Sequence, residues 1–140
     1  MQMDAHAASL RYERTFAYDP QKVWAALTEP DQVKAWSRAT HVVIEPRLGG
    51  RVDIRALLHI TGRITVFDPP RTLEHEFIVA PGGPVEAAEN ALLRWGLEPD
   101  GDGTRLTMTF TRLSAATARI FVHGQPVYFD LLDAYLGGRR

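Results

Sequence analysis

Three adjacent side chains that could exchange protons, Glu74, His75 and Glu76, lie in the segment TLEHEFIV at residues 72–79. Apolar residues alternate with the others in this segment, which is typical of a β-strand whose side chains point to two faces in turn. The two glutamates then share the polar face, and we expect them to be solvated. His75 falls on the apolar face, where a hydrogen-bonded core histidine is more common than a catalyst, so we assign no catalytic residue.

Motifs for metal, cofactor or covalent chemistry are missing from the sequence. The chain has no cysteine, and its histidines show neither the i, i+4 spacing nor the HExxH pattern of a zinc site. The segment DGDG at residues 100–103 resembles the start of a calcium loop without its closing glutamate, so a hairpin turn explains it better. Phosphate-binding glycine motifs and a GxSxG elbow are also missing. We therefore predict no metal and no cofactor.

Composition excludes several classes of partner. The 140 residues carry 16 basic and 17 acidic side chains, for a formal charge of −1, which is not the basic footprint of a nucleic-acid-binding protein. No apolar run is long enough to span a membrane. The N-terminus lacks the basic and apolar regions of a signal peptide, and together with the missing cysteines this favours a cytoplasmic protein.

The length predicts one domain, at residues 10–137, after a disordered segment at 1–9. A first strand is expected from Leu10 to Tyr18, because apolar and polar residues alternate there. Two short helices should follow, at residues 20–28 and 30–37, since each begins with a proline in its first turn. Asp19 is the expected N-cap of the first helix.

The two tryptophans of this helix pair, Trp24 and Trp36, can both point at one core. Core packing is the simpler interpretation for each. Because Trp36 ends the second helix, it could instead form a wall of a ligand cavity.

The remainder of the chain predicts strands and one long helix. Gly49-Gly50 and Thr61-Gly62 are predicted turns, with Gly50 as the candidate for a positive φ, and residues 80–90 form an irregular loop. Strands are expected at residues 41–46, 51–60, 63–67, 72–79, 92–98 and 105–113. A helix capped by Ser114 should be interrupted at Gly124 and Pro126 and should resume at 127–136, before Gly137-Gly138 ends it.

This order, one strand, two helices, six strands and a helix, predicts an α+β fold. Six consecutive strands joined by short turns form an antiparallel meander. Its apolar face must be covered, and the C-terminal helix is the element large enough to do so.

Five segments together resemble a known family over residues 10–137. They are VWAALTEPDQVKAW, LGGRVDI, GRITVFDPPRTLEHEF, GDGTRLTMTFTRL and LLDAYL. They resemble the activator of heat-shock protein 90 ATPase homologue family, C-terminal type, of the SRPBCC superfamily with its START-like and Bet v 1-like relatives. The resemblance implies a helix-grip fold, in which a curved antiparallel sheet wraps around a long C-terminal helix and leaves a cavity. The family often has Gly-Trp near the start of that helix, where this chain has Gly124-Gln125-Pro126.

We expect this cavity to bind a small hydrophobic molecule, because an apolar interior with a few polar groups is typical of such sites. A solid core built from the same residues is the alternative. The expected lining residues are Trp36, Ile54, His75, Phe77, Trp95, Met108, Phe110, Phe121, Tyr128 and Leu132.

Two other functions stay open at the level of the sequence. One is a cyclase- or aromatase-like enzyme that uses His75, Tyr128 or Arg14 as acid or base. The other is a chaperone-associated interaction domain, which rests on family analogy alone. A homodimer is also left open.

Overall fold

The computed structural model describes residues 8–56, 58–80 and 91–138, with residues 8, 115–116 and 120–127 as backbone only. Most of the predicted disordered segment 1–9 and of the loop 80–90 lies outside these residues. The strands are β1 Ala8–Phe16, β2 His41–Ile44, β3 Arg51–Arg55, β4 His59–Asp68, β5 Thr72–Val79, β6 Ala91–Asp100 and β7 Gly103–Leu113. The helices are α1 Pro20–Thr28, α2 Pro30–Ser37 and α3 Ala115–Gly138.

All seven strands form one antiparallel sheet in the order β1-β7-β6-β5-β4-β3-β2. The predicted α+β fold and the antiparallel meander from β2 to β7 are confirmed. β1 pairs with β7, so the first strand and the last strand lie side by side. Strands β5, β6 and β7 alternate between buried and more exposed residues, as their period-two pattern predicts.

The helix pair begins and ends as its sequence predicts. The side chain of Asp19 accepts a hydrogen bond from the backbone N–H of Lys22 at 2.9 Å, with Pro20 in the first turn. Glu29 ends α1 and begins α2, because its own N–H donates to Ala25 O while its extended backbone turns the chain into Pro30. A proline that cannot continue one helix can thus start the next.

Trp36 joins the two helices. Its side chain is buried, and its indole Nε1 donates a hydrogen bond of 2.7 Å to the carbonyl of Ala26 in α1. Trp24 is only partly buried and packs on Phe67 of β4, with ring centroids 5.7 Å apart. Trp36 therefore packs in the core as predicted, and Trp24 does so only in part.

The turn predicted at Thr61-Gly62 is wrong. Both residues lie inside β4, and the chain turns earlier, between β3 and β4. Packing explains why position 62 is a glycine, since a Cβ there would overlap the backbone carbonyl of Glu76 on β5. A glycine inside a strand often marks such a close approach of two backbones.

The interruption predicted in the C-terminal helix is also wrong. α3 runs as one helix from Ala115 to Gly138, through Gly124 and Pro126. Ser114 is its cap as predicted, with its hydroxyl oxygen accepting from the N–H of Thr117 at 3.2 Å. Helix propensity is a weak constraint that tertiary packing often overrides, which explains why these two residues do not end the helix.

The turn at Gly49-Gly50 exists, but its two glycines have different roles from those predicted. Gly49, not Gly50, has the positive φ, at +78°. Gly50 is needed for space, because a Cβ there would overlap the carbonyl of Glu45. The turn is tied to β4 by two hydrogen bonds, from Gly49 N to Ile64 O and from Ile64 N to Gly50 O, each 2.8 Å long.

We predict that Gly50→Ala lowers the free energy of unfolding by roughly 1–3 kcal/mol, since the added methyl group must displace backbone. Urea denaturation measures the effect. Gly96→Ala in β6 is the matched control, because its new Cβ would meet only the Thr107 Cβ, at 4.0 Å. Equal stability of Gly50→Ala and the wild type would contradict the crowded turn.

Candidate ligand site on the inner face of the sheet

The apolar face of β4–β7, called here the inner face, is organised in cross-strand rows. In one row His75 lies opposite Ile64 of β4 and Leu93 of β6, and Leu93 lies opposite Phe110 of β7. All four side chains are buried. His75 is thus a polar residue between aliphatic and aromatic neighbours.

The adjacent row consists of Leu73, Trp95 and Met108 and continues to Tyr12 on β1. The first three are buried, and Tyr12 is half-buried. Burial raises the pKa of the Tyr12 hydroxyl above its usual value, so the phenol stays neutral.

An aromatic pair adjoins His75 on the same face. Phe77 lies two residues further along β5, and its ring meets that of Phe110 edge to face, with centroids 5.1 Å apart. Such pairs exclude water and add stability beyond their buried area. The environment of the imidazole is therefore of low polarity.

The protonation state of His75 follows from its surroundings. The side chain is 5% exposed, and Nδ1 lies 2.7 Å from the backbone carbonyl oxygen of Glu76. A carbonyl can only accept, so Nδ1 carries the hydrogen. Burial lowers the pKa of the imidazole below its usual 6.5, against smaller opposing effects of that hydrogen bond and of Glu74 and Glu76. His75 is thus neutral at pH 7, with the lone pair on Nε2.

The sheet is irregular beside His75. Ile64 lies opposite His75, and the β4–β5 register shifts between Ile64 and Val66. On the other side of Ile64, the N–H of Arg63 donates to the Glu76 carboxylate at 3.0 Å.

Gly62 of β4 gives the Glu76 carbonyl room, because a Cβ at this position would overlap it. The histidine is therefore held by a feature of the backbone, not by another side chain.

The two glutamates point to the opposite face, as predicted, but they are hydrogen-bonded rather than simply solvated. Glu74 accepts from the hydroxyl of Thr65 at 2.8 Å and from Nε of Arg94 at 3.1 Å. Glu76 accepts from the backbone of Arg63. Neither carboxylate shares the inner face with His75.

Helix α3 lies over the sheet and packs mainly against β1, α1 and α2. Leu132 and Phe129 are buried, and the ring of Phe129 meets that of Phe16 on β1 at 6.1 Å. Tyr128 is half-buried and packs edge to face on Trp36, with centroids 6.3 Å apart. Burial raises the pKa of the Tyr128 hydroxyl, so it too stays neutral.

Arg14 of β1 contacts helix α3 through its guanidinium group. Its Nη1 lies 2.7 Å from a carboxylate oxygen of Asp130 on α3, and its guanidinium stacks 5.3 Å from the centre of the Phe129 ring. This combined ion pair and cation–π contact ties β1 to α3. Arg14 is thus already engaged by two partners.

The structure places the predicted lining residues in two groups and leaves others apart. His75, Phe77, Trp95, Met108 and Phe110 share the inner face of β5–β7. Trp36, Tyr128 and Leu132 belong to the helical layer. Ile54 lies on β3, half-buried, opposite Val42 and Ile60. The side chain of Phe121 lies outside the described residues.

Sequence reasoning missed the close approach of Gly62 to the Glu76 carbonyl, the group that binds His75. A glycine within an alternating pattern was the available signal, and we interpreted it as a turn.

It also missed a cluster on the outer face, where the Asp53 carboxylate lies 2.9 Å from His59 Nε2 and 3.4 Å from Arg51 Nη2. Burial alone would raise the pKa of Asp53, but the bonds from His59 and Arg51 outweigh burial and hold it below its usual value.

Among the residues that the structure describes, no three metal-ligating side chains converge on one point. Within the same residues, no helix has the length and apolar character that crossing a membrane requires.

Residues 17–137 match the family described as Activator of Hsp90 ATPase homolog 1-like protein. The chain belongs to this family. The resemblance expected from the five sequence segments is thereby confirmed. A search of curated protein sequences found no significant match.

Solved structures of several family-like proteins share the helix-grip fold. A protein from Mesorhizobium loti has a TM-score of 0.81 at 23% identity, over 95% of this chain and 99% of the other. CalU16 from Micromonospora echinospora has a TM-score of 0.76 at 20% identity, over 94% of this chain and 78% of its own. An HSP90 activator from Plasmodium falciparum has a TM-score of 0.76 at 12% identity, over 92% and 96%. At these identities the likeness establishes the fold alone.

We predict that His75→Gln makes the protein less sensitive to mild acid. Because the folded-state pKa of His75 is lowered, the unfolded chain binds more protons below pH 6.5, so the wild type loses stability as the pH falls. Between about pH 7 and pH 5 this loss is at most about 2 kcal/mol, and most carboxylates remain ionised there.

The measurement is urea denaturation of both proteins at the two pH values. His41→Gln, at the exposed start of β2, is the control and should lose as much stability as the wild type. An equal loss in His75→Gln would show that the imidazole is not held neutral.

Proposed function

We propose that this protein binds a small hydrophobic molecule between the inner face of the sheet and helix α3. The observation that carries the proposal is a neutral histidine, His75, buried among aliphatic and aromatic side chains. Nδ1 of this imidazole has its hydrogen bond to the backbone of β5, whereas Nε2 has no partner among the described residues. A ligand with a polar group could therefore form a hydrogen bond with Nε2.

The position of α3 supports the same site. In the described part of the chain its main contacts run to β1 at the edge of the sheet and to α1 and α2. His75 and Trp95 lie on the central strands β5 and β6. A helix that rests on an edge strand and on two other helices can bridge the middle of a curved sheet. Binding sites of this kind are mostly apolar, with a few placed polar groups.

Tyr128 is the second polar group of the proposed site. It is half-buried next to Trp36, and its neutral hydroxyl can both donate and accept. Trp36 and Tyr128 would close the helical side, with the aromatic residues of β5–β7 opposite them.

We predict that the neutral dye Nile red binds the wild type with increased fluorescence and that Leu93→Trp reduces this affinity by about tenfold or more. Leu93 lies beside His75 on the inner face, so the larger ring would occupy the ligand volume. The matched control is Leu92→Trp, since the adjacent residue on β6 points to the other face.

Thermal unfolding of Leu93→Trp separates a cavity from a solid core. A cavity accepts the indole with little loss of stability, whereas a close-packed core would be destabilised by roughly 1–3 kcal/mol. The proposal fails if the wild type does not bind Nile red, or if Leu93→Trp binds as tightly as Leu92→Trp.

A contact with a chaperone is a second candidate function, favoured by the family match and by the similarity to the Plasmodium HSP90 activator. Immobilised protein should then retain purified Hsp90 from solution. Failure to retain it, while Nile red still binds, would favour ligand binding over a chaperone contact.

A further inference from the structure

The two ring nitrogens of His75 differ in their hydrogen bonding. Nδ1 donates to the Glu76 carbonyl and is fully used by that bond. Nε2 has no hydrogen-bond partner among the described residues. Because the tautomer is set by Nδ1, Nε2 presents a lone pair and acts as an acceptor.

The supporting geometry is rigid. Gly62 leaves space for the Glu76 peptide, and the N–H of Arg63 holds the Glu76 side chain on the opposite face. Ile64, directly opposite His75, is itself tied to the turn at Gly50 through its backbone N–H. The imidazole orientation thus depends on backbone atoms of two neighbouring strands.

The immediate surroundings of Nε2 carry no formal charge in the described part of the chain. The cross-strand neighbours Ile64 and Leu93 are aliphatic, and Glu74 and Glu76 face the other side. Arg14 is on the inner side of β1, separated from β5 by β7 and β6, and is occupied by Asp130 and Phe129. A ligand anion beside His75 would therefore be buried without a counter-charge, which is costly.

We propose that His75 selects for an apolar molecule carrying a neutral hydrogen-bond donor, such as a phenol or alcohol hydroxyl, which it binds through Nε2. The inference rests on the proposed function and adds to it the chemical class of the ligand. A ligand with the same apolar skeleton but a carboxylate would be buried without a counter-charge. A ligand with a methyl ether would have no hydrogen to donate to Nε2. A site built to bond a hydroxyl rejects analogues that lack it.

The test compares three probes with one skeleton: naphthol, its methyl ether and naphthoate, all substituted at the same ring position. Affinities are measured by quenching of tryptophan fluorescence at about pH 8, above the usual pKa of histidine. We expect naphthol to bind the wild type about five- to tenfold more tightly than the ether, as one neutral hydrogen bond provides. Naphthoate should bind most weakly.

Two variants at the same position identify the acceptor. His75→Phe should bind naphthol and the ether equally, with the affinity for the ether retained. His75→Gln keeps a side-chain acceptor and should restore part of the preference. His59→Phe, a histidine substitution on the outer face, is the control and should bind all three probes as the wild type does.

A measurement without ligand tests the acceptor directly. Nitrogen NMR of the His75 imidazole should show a protonated Nδ1 and an unprotonated Nε2. The opposite tautomer would overturn the inference.

The binding outcomes are distinguishable. If the wild type does not bind Nile red, the proposed function fails. If Nile red binds but the ether matches naphthol, or naphthoate binds most tightly, only the selection by His75 fails.

Discussion

Pairing of the first strand with the last determines where the other elements of this fold can lie. β1 aligns with β7 along most of its length, with Tyr12 opposite Met108 and Phe16 opposite Thr104. This pairing places Phe16 and Arg14 under α3, where they meet Phe129 and Asp130. The long helix is thereby supported at the edge of the sheet.

The central strands place one polar side chain, His75, in an apolar row, and the backbone compensates for it. Nδ1 donates to the backbone carbonyl of Glu76, and Gly62 on β4 leaves room for that carbonyl. The β4–β5 register shifts between Ile64 and Val66, next to the position opposite His75. Bulges of this kind are common beside sites where a side chain must be aimed.

Family membership and function are separate conclusions for this protein. The family match and the shared helix-grip fold follow from the whole length of the chain. Folds of this type support many activities, so function must be argued from the side chains of the site. The proposed ligand preference depends on the neutral state of His75 and on the uncharged side chains around it in the described part of the chain. Both are local properties that no fold comparison reports.

Local patterns determined most of the architecture from the sequence alone. Alternation placed β5, β6 and β7 and assigned His75 to the inner face, because a period of two is imposed by strand geometry itself. Prolines at Pro20 and Pro30 set the starts of α1 and α2, since each removes a backbone donor that a helix start does not need. These signals are read within a few residues, which is why they could be recognised without the fold.

Only the tertiary structure decided the features that depend on distant residues. Gly62 resembles a turn residue in the sequence, but a carbonyl from β5 gives it its role. Pro126 resembles a helix break, yet α3 continues through it. The partner of Arg14 lies on α3, far along the chain. For Gly62 and Arg14 the deciding atoms belong to another element, and a local pattern carries no information about which element folding brings into contact.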